Sequence, residues 1–225
     1  IFGFSSLGVS TNRDEWVYDF DRENLRNKMQ FFIAKYNELL AQHDTSWKAG
    51  IKWSASLKEV FKRRQQMVFD EKILIQANYR PFIKQFYYAE SLLGDRLTQN
   101  HYDMFGESLE RANLVINISV NGKDLRFFAS KRISDLHFLG DNQCLPFYRY
   151  DDKSKRVENI SDWGLEQFRT HYQDQQISKK AIFHYTYAVL HNPAYRQKYE
   201  LNLKREFPRL PFYPDFWQWV TWGKT

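Results

Sequence analysis

Cationic side chains in one stretch of the sequence have the type and spacing to bind a polyanion. Residues 47–84 contain nine Lys and Arg against three Asp and Glu, an excess equal to the net charge of +6 of the whole chain. A basic block on an otherwise neutral protein is typical of a surface that contacts nucleic acid. The block can equally form a solvated helical face, and the sequence leaves both interpretations open.

Aromatic residues are interleaved with these charges. They are Trp47, Trp53, Phe61, Phe69, Tyr79 and Phe82. We expect them to pack in the core, because large aromatic side chains stabilise a protein most when they are buried. A module for single-stranded nucleic acid or RNA would need them exposed on a basic groove, so the exposure of Trp47 and Trp53 separates the two interpretations.

Sequence patterns of catalytic and cofactor sites are absent. None of G-x-x-x-x-G-K-[ST], G-x-G-x-x-G, H-E-x-x-H or G-x-S-x-G occurs, and there is no Pro-Pro pair for the [DNS]-P-P-[YFW] motif of an amino-group methyltransferase. Cys144 is the single cysteine and the six His are scattered, which argues against a metal site. We therefore expect no catalysis, no cofactor and no metal in this segment alone.

The composition indicates a folded protein. Of the 225 residues, 43% are hydrophobic and 18% aromatic, which excludes disorder as the main state. No apolar run is long enough to cross a membrane, and neither a signal segment nor a disulfide framework is evident, so we expect a cytoplasmic protein. Because the chain starts at Ile1, we expect it to be a piece of a longer polypeptide.

The apolar periodicity predicts the scaffold that holds these residues. It indicates an α+β fold, with a mixed or antiparallel sheet in the middle of the chain and helices on its N-terminal and C-terminal sides. We expect a single domain over residues 1–225. It would be mainly helical over 1–110, β-rich over 111–150 and helical with an aromatic tail over 151–225.

Local signals place several helices. Asp21 can cap a helix whose apolar stripe covers residues 25–40, and Ser56 can cap a second helix. A third is predicted around Phe69–Ala77, and it should end near Tyr79–Phe82 because the residue before Pro81 avoids the helical conformation. In the last third, the expected caps are Ser161 and Ser178, and the expected helix start is Pro193.

Alternation and turn residues place the strands. The predicted strands are Glu15–Phe20, Asn113–Val120, Leu125–Ala129, Ile133–Leu139 and Cys144–Tyr150. Asn121-Gly122 is a strong two-residue hairpin signal between the second and third of these.

Four separated blocks resemble the C-terminal part of the large single-chain type ISP restriction–modification enzymes. They are Gly8–Phe20, Tyr79–Tyr88, Asp135–Tyr150 and Phe183–Tyr213. The second block is similar to the family's Y-R-P-F-x-K element. The resemblance covers nearly the whole chain, and none of the blocks is a catalytic motif.

The resemblance implies which part of such an enzyme this chain is. In that family one polypeptide carries a nuclease, a DNA-translocating ATPase, a coupler, an N6-adenine methyltransferase and a target recognition domain, and this chain resembles the last. The implied partners are double-stranded DNA and the methyltransferase domain of the same polypeptide, in the bacterial cytoplasm. S-adenosylmethionine, ATP and Mg are implied only for other domains of that parent, which would methylate adenine and cleave unmodified DNA.

On this basis we expect the domain to clamp duplex DNA and to read bases mainly in the major groove. The candidate phosphate contacts are Lys52, Lys58, Lys62, Arg63, Arg64, Arg80 and Lys84. The candidate base contacts are Arg126, Lys131 and Arg132 near the sheet and Asn121, Lys123, Asn142 and Gln143 on turns. For Arg80, an internal partner that holds the turn at Pro81 is the structural alternative.

A second function stays open beside this one. The domain would be a non-catalytic scaffold that docks on the methyltransferase or on a partner protein, with the aromatic tail as its interface. Neutralising Lys62, Arg63 and Arg64 separates the two functions, because only a DNA clamp would lose affinity and salt dependence.

Overall fold

The computed structural model of this chain describes residues 1–47, 50–95, 97–120, 125–151 and 153–224. Within these ranges helices combine with antiparallel sheets, so the predicted α+β class is confirmed. The helices are α1 (Asp14–Val17), α2 (Arg22–Gln42), α3 (Ala55–Lys62), α4 (Gln99–Phe105), α5 (Asp162–Tyr172), α6 (Lys179–His191), α7 (Pro193–Lys198), α8 (Glu200–Leu203) and α9 (Phe216–Trp222). The strands are β1 (Ser6–Leu7), β2 (Tyr18–Asp19), β3 (Leu74–Arg80), β4 (Ile83–Tyr88), β5 (Val115–Val120), β6 (Leu125–Ser130), β7 (Gln143–Pro146), β8 (Tyr148–Tyr150) and β9 (Arg156–Glu158).

The central sheet has the strand order β1-β7-β5-β6 and separates two hydrophobic cores. Successive side chains of a strand point to opposite faces. On β5, Val115 accordingly joins the core built by α2, α3 and the N-terminal strands. Its neighbour Ile116 and then Ile118 join the core built by α5, α6 and α9. The sheet predicted for the middle of the chain therefore joins the two helical flanks.

The antiparallel pair of β5 and β6 is present, as the sequence predicts, and Val120 pairs with Leu125. The predicted two-residue turn Asn121-Gly122 lies outside the described residues. The Asn121-Gly122 signal therefore identified the right pair of strands.

A second sheet, β2-β4-β3, corrects two predictions for the N-terminal part. Phe69–Ala77 is not a helix, because after a short 3-10 turn at Glu71–Ile73 the chain continues as β3 and pairs along its length with β4. Its apolar residues suit either structure, and the strand is selected by β4, whose Tyr87 and Tyr88 are buried. Glu15–Phe20 is not one strand either, since Asp14–Val17 is helical and only Tyr18–Asp19 pairs.

Most of the predicted helix starts are confirmed by cap geometry. The Asp21 carboxylate accepts a hydrogen bond from the Asn24 backbone N–H at 2.7 Å, and Ser161 and Ser178 cap α5 and α6 in the same way. Pro193 opens α7. Ser56 is not the cap of α3, because Ser54 accepts the bond from the backbone N–H of Leu57.

Residues 133–136 link the two sheets although they form no long strand. This segment forms one isolated bridge with Val9 on one side and another with Asn78 of β3 on the other. The Asp135 backbone N–H donates to the Asn78 carbonyl oxygen. The predicted strand Ile133–Leu139 is thus limited to single bridges before the chain turns at Phe138. This segment brings the end of β6 beside the β3–β4 hairpin.

The aromatic tail is ordered, as predicted, and packs on the second core. Phe216 and Val220 of α9 are buried, and Gly223 lies so close to α6 that a Cβ there would be 1.9 Å from the His184 carbonyl oxygen. No helix among the described residues is long and apolar enough to span a bilayer.

Candidate nucleic-acid interface

A cleft of about 420 Å³ lies between the β3–β4 hairpin and the end of β6. Its cationic lining residues are Arg80, Lys84, Lys131 and Arg132, and no acidic residue lines it among those that the structure describes. Lys84, Lys131 and Arg132 are exposed to solvent. The fold therefore brings together cations that are far apart in the sequence, in a concavity that suits the phosphates of a nucleic acid.

The tip of the β3–β4 hairpin forms one wall of this cleft. Pro81 and Phe82 connect the strands, and Phe82 has the left-handed backbone conformation, with φ of 63°. Phe82 was predicted to pack in the core, and that prediction is wrong, because 87% of the residue is exposed. Its ring contacts that of Phe128 edge to face, with 5.2 Å between the ring centres.

Arg80 has internal partners on three sides. Its Nη1 lies 2.6 Å from Asp135 Oδ1 and donates to the Tyr79 carbonyl oxygen at 2.7 Å, while Nη2 lies 3.5 Å from Asp14 Oδ2. The guanidinium carbon stacks 3.9 Å from the centre of the Tyr79 ring. These contacts favour the structural alternative for Arg80 over phosphate contact.

Asp135 is the buried member of this group. Burial, and after it the neighbouring Asp14, raise the pKa of its carboxyl to about 6, against the opposite effect of the His137 backbone N–H and Arg80. The cost of burying the Asp135 carboxylate therefore exceeds the stabilisation that its partners return. Arg80 and Asp135 therefore form a structural ion pair beneath the cleft.

Cations of the basic block on α3 and directly after its end form a second surface. Lys62 and Arg63 are exposed at the end of the helix, and Lys62 pairs with Glu59 at 2.7 Å. Arg64 donates to the His43 ring. Surface pairs of this kind are weak and can exchange for phosphate.

Lys52 and Lys58 complete this second surface with partners of their own. Lys52 pairs with Glu15 at 2.9 Å, and the Lys58 ammonium lies 5.2 Å from the centre of the Trp47 ring. Trp47 and Trp53 contact each other and Phe61, with ring centres 4.7–5.3 Å apart. The two tryptophans are thus half-buried core residues, which argues against a single-strand stacking platform.

The remaining candidate base contacts divide into three groups. Arg126 is exposed on β6, and Gln143 is half-buried on β7. Asn121 and Lys123 lie outside the described residues. Asn142 is a correction: it is completely buried, and its Nδ2 donates to Asn117 Oδ1 at 2.9 Å, so it holds the central sheet and has no access to a base.

The sequence reasoning missed another cationic element, the β8–β9 hairpin. Its exposed cations are Arg149, Lys153, Lys155 and Arg156, and Arg111 lies beside it. Arg156 stacks 4.2 Å from the centre of the Tyr148 ring, and Arg111 stacks 4.8 Å from that of Tyr150. The sequence contains a signal for this element, because four of the eight residues 149–156 are cationic. The signal is weak, since Asp151 and Asp152 lie between these cations and reduce the net charge of the segment.

Among the described residues, no group of three or more His, Cys, Asp or Glu is arranged to hold a metal ion. Cys144 is buried in the central sheet, and burial raises the pKa of its thiol to about 12. A thiol in this state is not a nucleophile at neutral pH.

Comparisons with known proteins agree with this geometry. The sequence profile of the type ISP C-terminal specificity domain matches residues 1–225. The chain therefore belongs to the family of type ISP C-terminal specificity domains. No curated protein matches it.

Solved structures with the same fold belong to much longer chains. The chain in the cryo-EM structure of the DrdV–DNA complex is 39% identical, with a TM-score of 0.95 over 100% of this chain and 23% of that one. A nuclease-deletion mutant of the type ISP restriction–modification enzyme LlaGI, in complex with a DNA substrate mimic, is 30% identical, with a TM-score of 0.83 over 100% of this chain and 18% of that one. The ATP-dependent type ISP enzyme LlaBIII bound to DNA is 26% identical, with a TM-score of 0.88 over 99% of this chain and 15% of that one.

Proposed function

We propose that this chain recognises double-stranded DNA as the specificity domain of a longer type ISP restriction–modification polypeptide. The observation that carries the proposal is the cleft lined by Lys84, Lys131 and Arg132, which has no acidic side chain among its described lining residues. Solved structures with the same fold were determined in complex with DNA or a DNA mimic. A recognition domain needs cations for phosphates and polar groups for base edges, but it needs no reactive group.

Two cationic surfaces supply the backbone contacts in this proposal. The cleft would hold one stretch of the duplex, with Lys131 and Arg132 at the end of β6. The exposed end of α3, with Lys62 and Arg63, would hold another. Contacts to both surfaces would fix the register of the duplex, so that side chains on the intervening loops can read its bases.

The chemistry of the parent belongs to other domains. Adenine-N6 methylation with S-adenosylmethionine, and ATP- and Mg-dependent translocation and cleavage, are the activities that we propose for the rest of the polypeptide, in the bacterial cytoplasm. The methyltransferase domain would be the neighbour that supplies the other half of the DNA clamp. This division of labour agrees with the chain's span of 15–23% of the solved relatives.

Titration against random-sequence duplex DNA at several salt concentrations tests the proposal. Binding should weaken steeply with salt, and the slope of log Kd against log salt should shrink by about 0.9 for each phosphate contact removed. Glutamine replacements of Lys84, Lys131 and Arg132 test the cleft, and those of Lys62, Arg63 and Arg64 test α3. A matched triple replacement at the exposed Lys198, Arg205 and Arg209 removes the same charge elsewhere.

The expected result is a smaller slope for both test triples than for the control triple. Equal slopes for all three variants would mean that only net charge matters, and would overturn the assignment of these surfaces. No binding of the wild-type chain at low salt would overturn DNA recognition by this chain.

One observation favours docking as a second candidate function. An apolar cleft of about 490 Å³ lies on the other side of the molecule's central sheet, with Trp163 and Phe207 in its lining and 64% and 50% of these residues exposed. A partner would be the methyltransferase domain of the same polypeptide. If the domain only docks on a partner, none of the charge variants should differ from the wild type in the DNA titration.

A further inference from the structure

Phe82 has two unfavourable features, an exposed ring and a left-handed backbone conformation. Leaving a phenylalanine in water forgoes the stabilisation that its burial would bring, and 87% of this residue is exposed. Its φ of 63° is a strained backbone conformation for a residue with a bulky side chain. Strained, exposed positions concentrate where a protein meets a ligand.

The surroundings of Phe82 indicate the chemistry of that ligand. Lys84 follows on β4, and Lys131 and Arg132 face the hairpin across the cleft, whose described lining residues include no acid. An apolar protein surface would have to desolvate these cations without neutralising them. A partner that is anionic outside and has flat apolar faces inside satisfies both the charges and the ring, and stacked nucleic-acid bases have this construction.

We propose that Phe82 is a wedge that inserts between stacked bases of duplex DNA while the three neighbouring cations hold the phosphates on either side. Phenylalanine and proline are among the residues that enter base steps in this way, at the cost of local unstacking. Pro81 and Ile83 flank Phe82 and are also exposed, so the tip presents a continuous apolar edge. The proposal rests on the proposed function, since it assigns a role within the same interface.

The internal structure of the hairpin suits this role. Arg80 anchors one end of the turn to Asp135 and Asp14, while the β3–β4 pairing holds the other. Phe128 supports the Phe82 ring edge-on and is itself backed by Phe138 at 5.5 Å between ring centres. A wedge must resist the stacking that it disrupts, and a tip held from both sides loses little conformational entropy on insertion.

A duplex that has already lost one base tests the wedge, because the cost of unstacking is lower there. The probes are a short duplex of fixed sequence and the same duplex with one central abasic site. The wild-type chain should bind the abasic duplex about tenfold more tightly, since stacking of an aromatic side chain on a base has about this effect.

The informative variant is Phe82→Asn, because asparagine tolerates the left-handed backbone conformation and removes only the ring. It should lose about tenfold in affinity and all preference for the abasic duplex. Phe82→Trp should keep both, as it retains a stacking surface. Phe20→Asn is the matched control at another exposed phenylalanine, and it should behave as wild type.

Three outcomes separate this proposal from the proposed function. A Phe82→Asn chain that binds both duplexes like wild type, with an undiminished salt slope, overturns the wedge and leaves DNA recognition standing. A wild-type chain that binds neither duplex at low salt overturns DNA recognition and the wedge with it. Replacement of Lys131 and Arg132 by Gln should reduce the salt slope but keep the abasic preference, and loss of that preference would also overturn a wedge at Phe82.

Discussion

Arg80 and Asp135 are 55 positions apart in the chain, and their side chains meet at 2.6 Å beneath the basic cleft. The Asp135 backbone N–H also donates to the Asn78 carbonyl oxygen at 2.9 Å, and the neighbours Ser134 and Leu136 are hydrogen-bonded to the backbone of Val9. The ion pair therefore connects the hairpin tip to the point where three segments meet. It adds a side-chain contact to the backbone hydrogen bonds that hold the hairpin beside residues 133–136.

We predict that Arg80→Ala lowers the free energy of unfolding by about 2–4 kcal/mol, because it leaves the buried Asp135 carboxyl without its cationic partner. Arg80→Lys should restore little of this loss, since an ammonium cannot bridge two carboxylates and stack on Tyr79 together. Urea unfolding measures the effect, and Arg126→Ala at the exposed β6 position is the control. If the Arg80→Ala chain is as stable as the wild type and its salt slope for DNA binding is smaller, then Arg80 is a phosphate contact and not an internal one.

We predict that Asp135 makes stability fall as pH rises from about 4 to about 6. The pKa of this carboxyl is about 6 in the folded chain and 3.8 ordinarily, so the folded state holds the proton more tightly. Across that window the free energy of unfolding should fall by up to about 3 kcal/mol from this group, and the loss should be complete above pH 6.

The comparison with Asp135→Asn isolates this effect, because other titrating groups cancel in the difference between the two chains. The free energy of unfolding of the wild type minus that of Asp135→Asn should fall between pH 4 and pH 6 and be constant above pH 6. A flat difference across the range would show that Asp135 titrates at its ordinary pKa.

We predict that Asn142→Ala weakens the fold without changing DNA selection. The variant loses the hydrogen bond from Asn142 Nδ2 to Asn117 Oδ1 inside the central sheet. Loss of a buried hydrogen bond of this kind costs about 2 kcal/mol. Chemical unfolding and DNA titration are the measurements, with Asn27→Ala at an exposed position of α2 as the control. Changed base preference in a fully stable Asn142→Ala chain would contradict the buried role.

We predict that Gly8→Ala is strongly destabilising. A Cβ at Gly8 would lie 2.6 Å from the Asp135 carbonyl oxygen and 2.8 Å from the Leu136 Cα, so the backbone of the linking segment would have to move. Overpacking of this kind costs about 1–3 kcal/mol. Gly50→Ala is the matched control, because nothing lies within 4 Å of a Cβ there. Equal melting temperatures for the two variants would disprove the close approach.

The outcome of the sequence predictions depended on how far apart the deciding residues were. The caps at Asp21, Ser161 and Ser178 involve groups three residues apart, and all three were predicted. The cap of α3 was misplaced by two residues, since Ser54 and Ser56 are both suitable types. The strand β3 was missed because its apolar residues fit a helix equally well until β4 pairs with it.

The sequence by itself determined the α+β class, the helix periodicity, the basic block and the resemblance that identifies the family, because these depend on residue types and short spacings. Only the tertiary structure decided that Arg80 faces Asp135, that Asn142 is buried, and that Phe82 is exposed beside Lys131. The physical reason is that burial and pairing of these side chains depend on distant segments, 25 positions away for Asn142 and 55 for Arg80. Local periodicity does not specify which of these segments will meet.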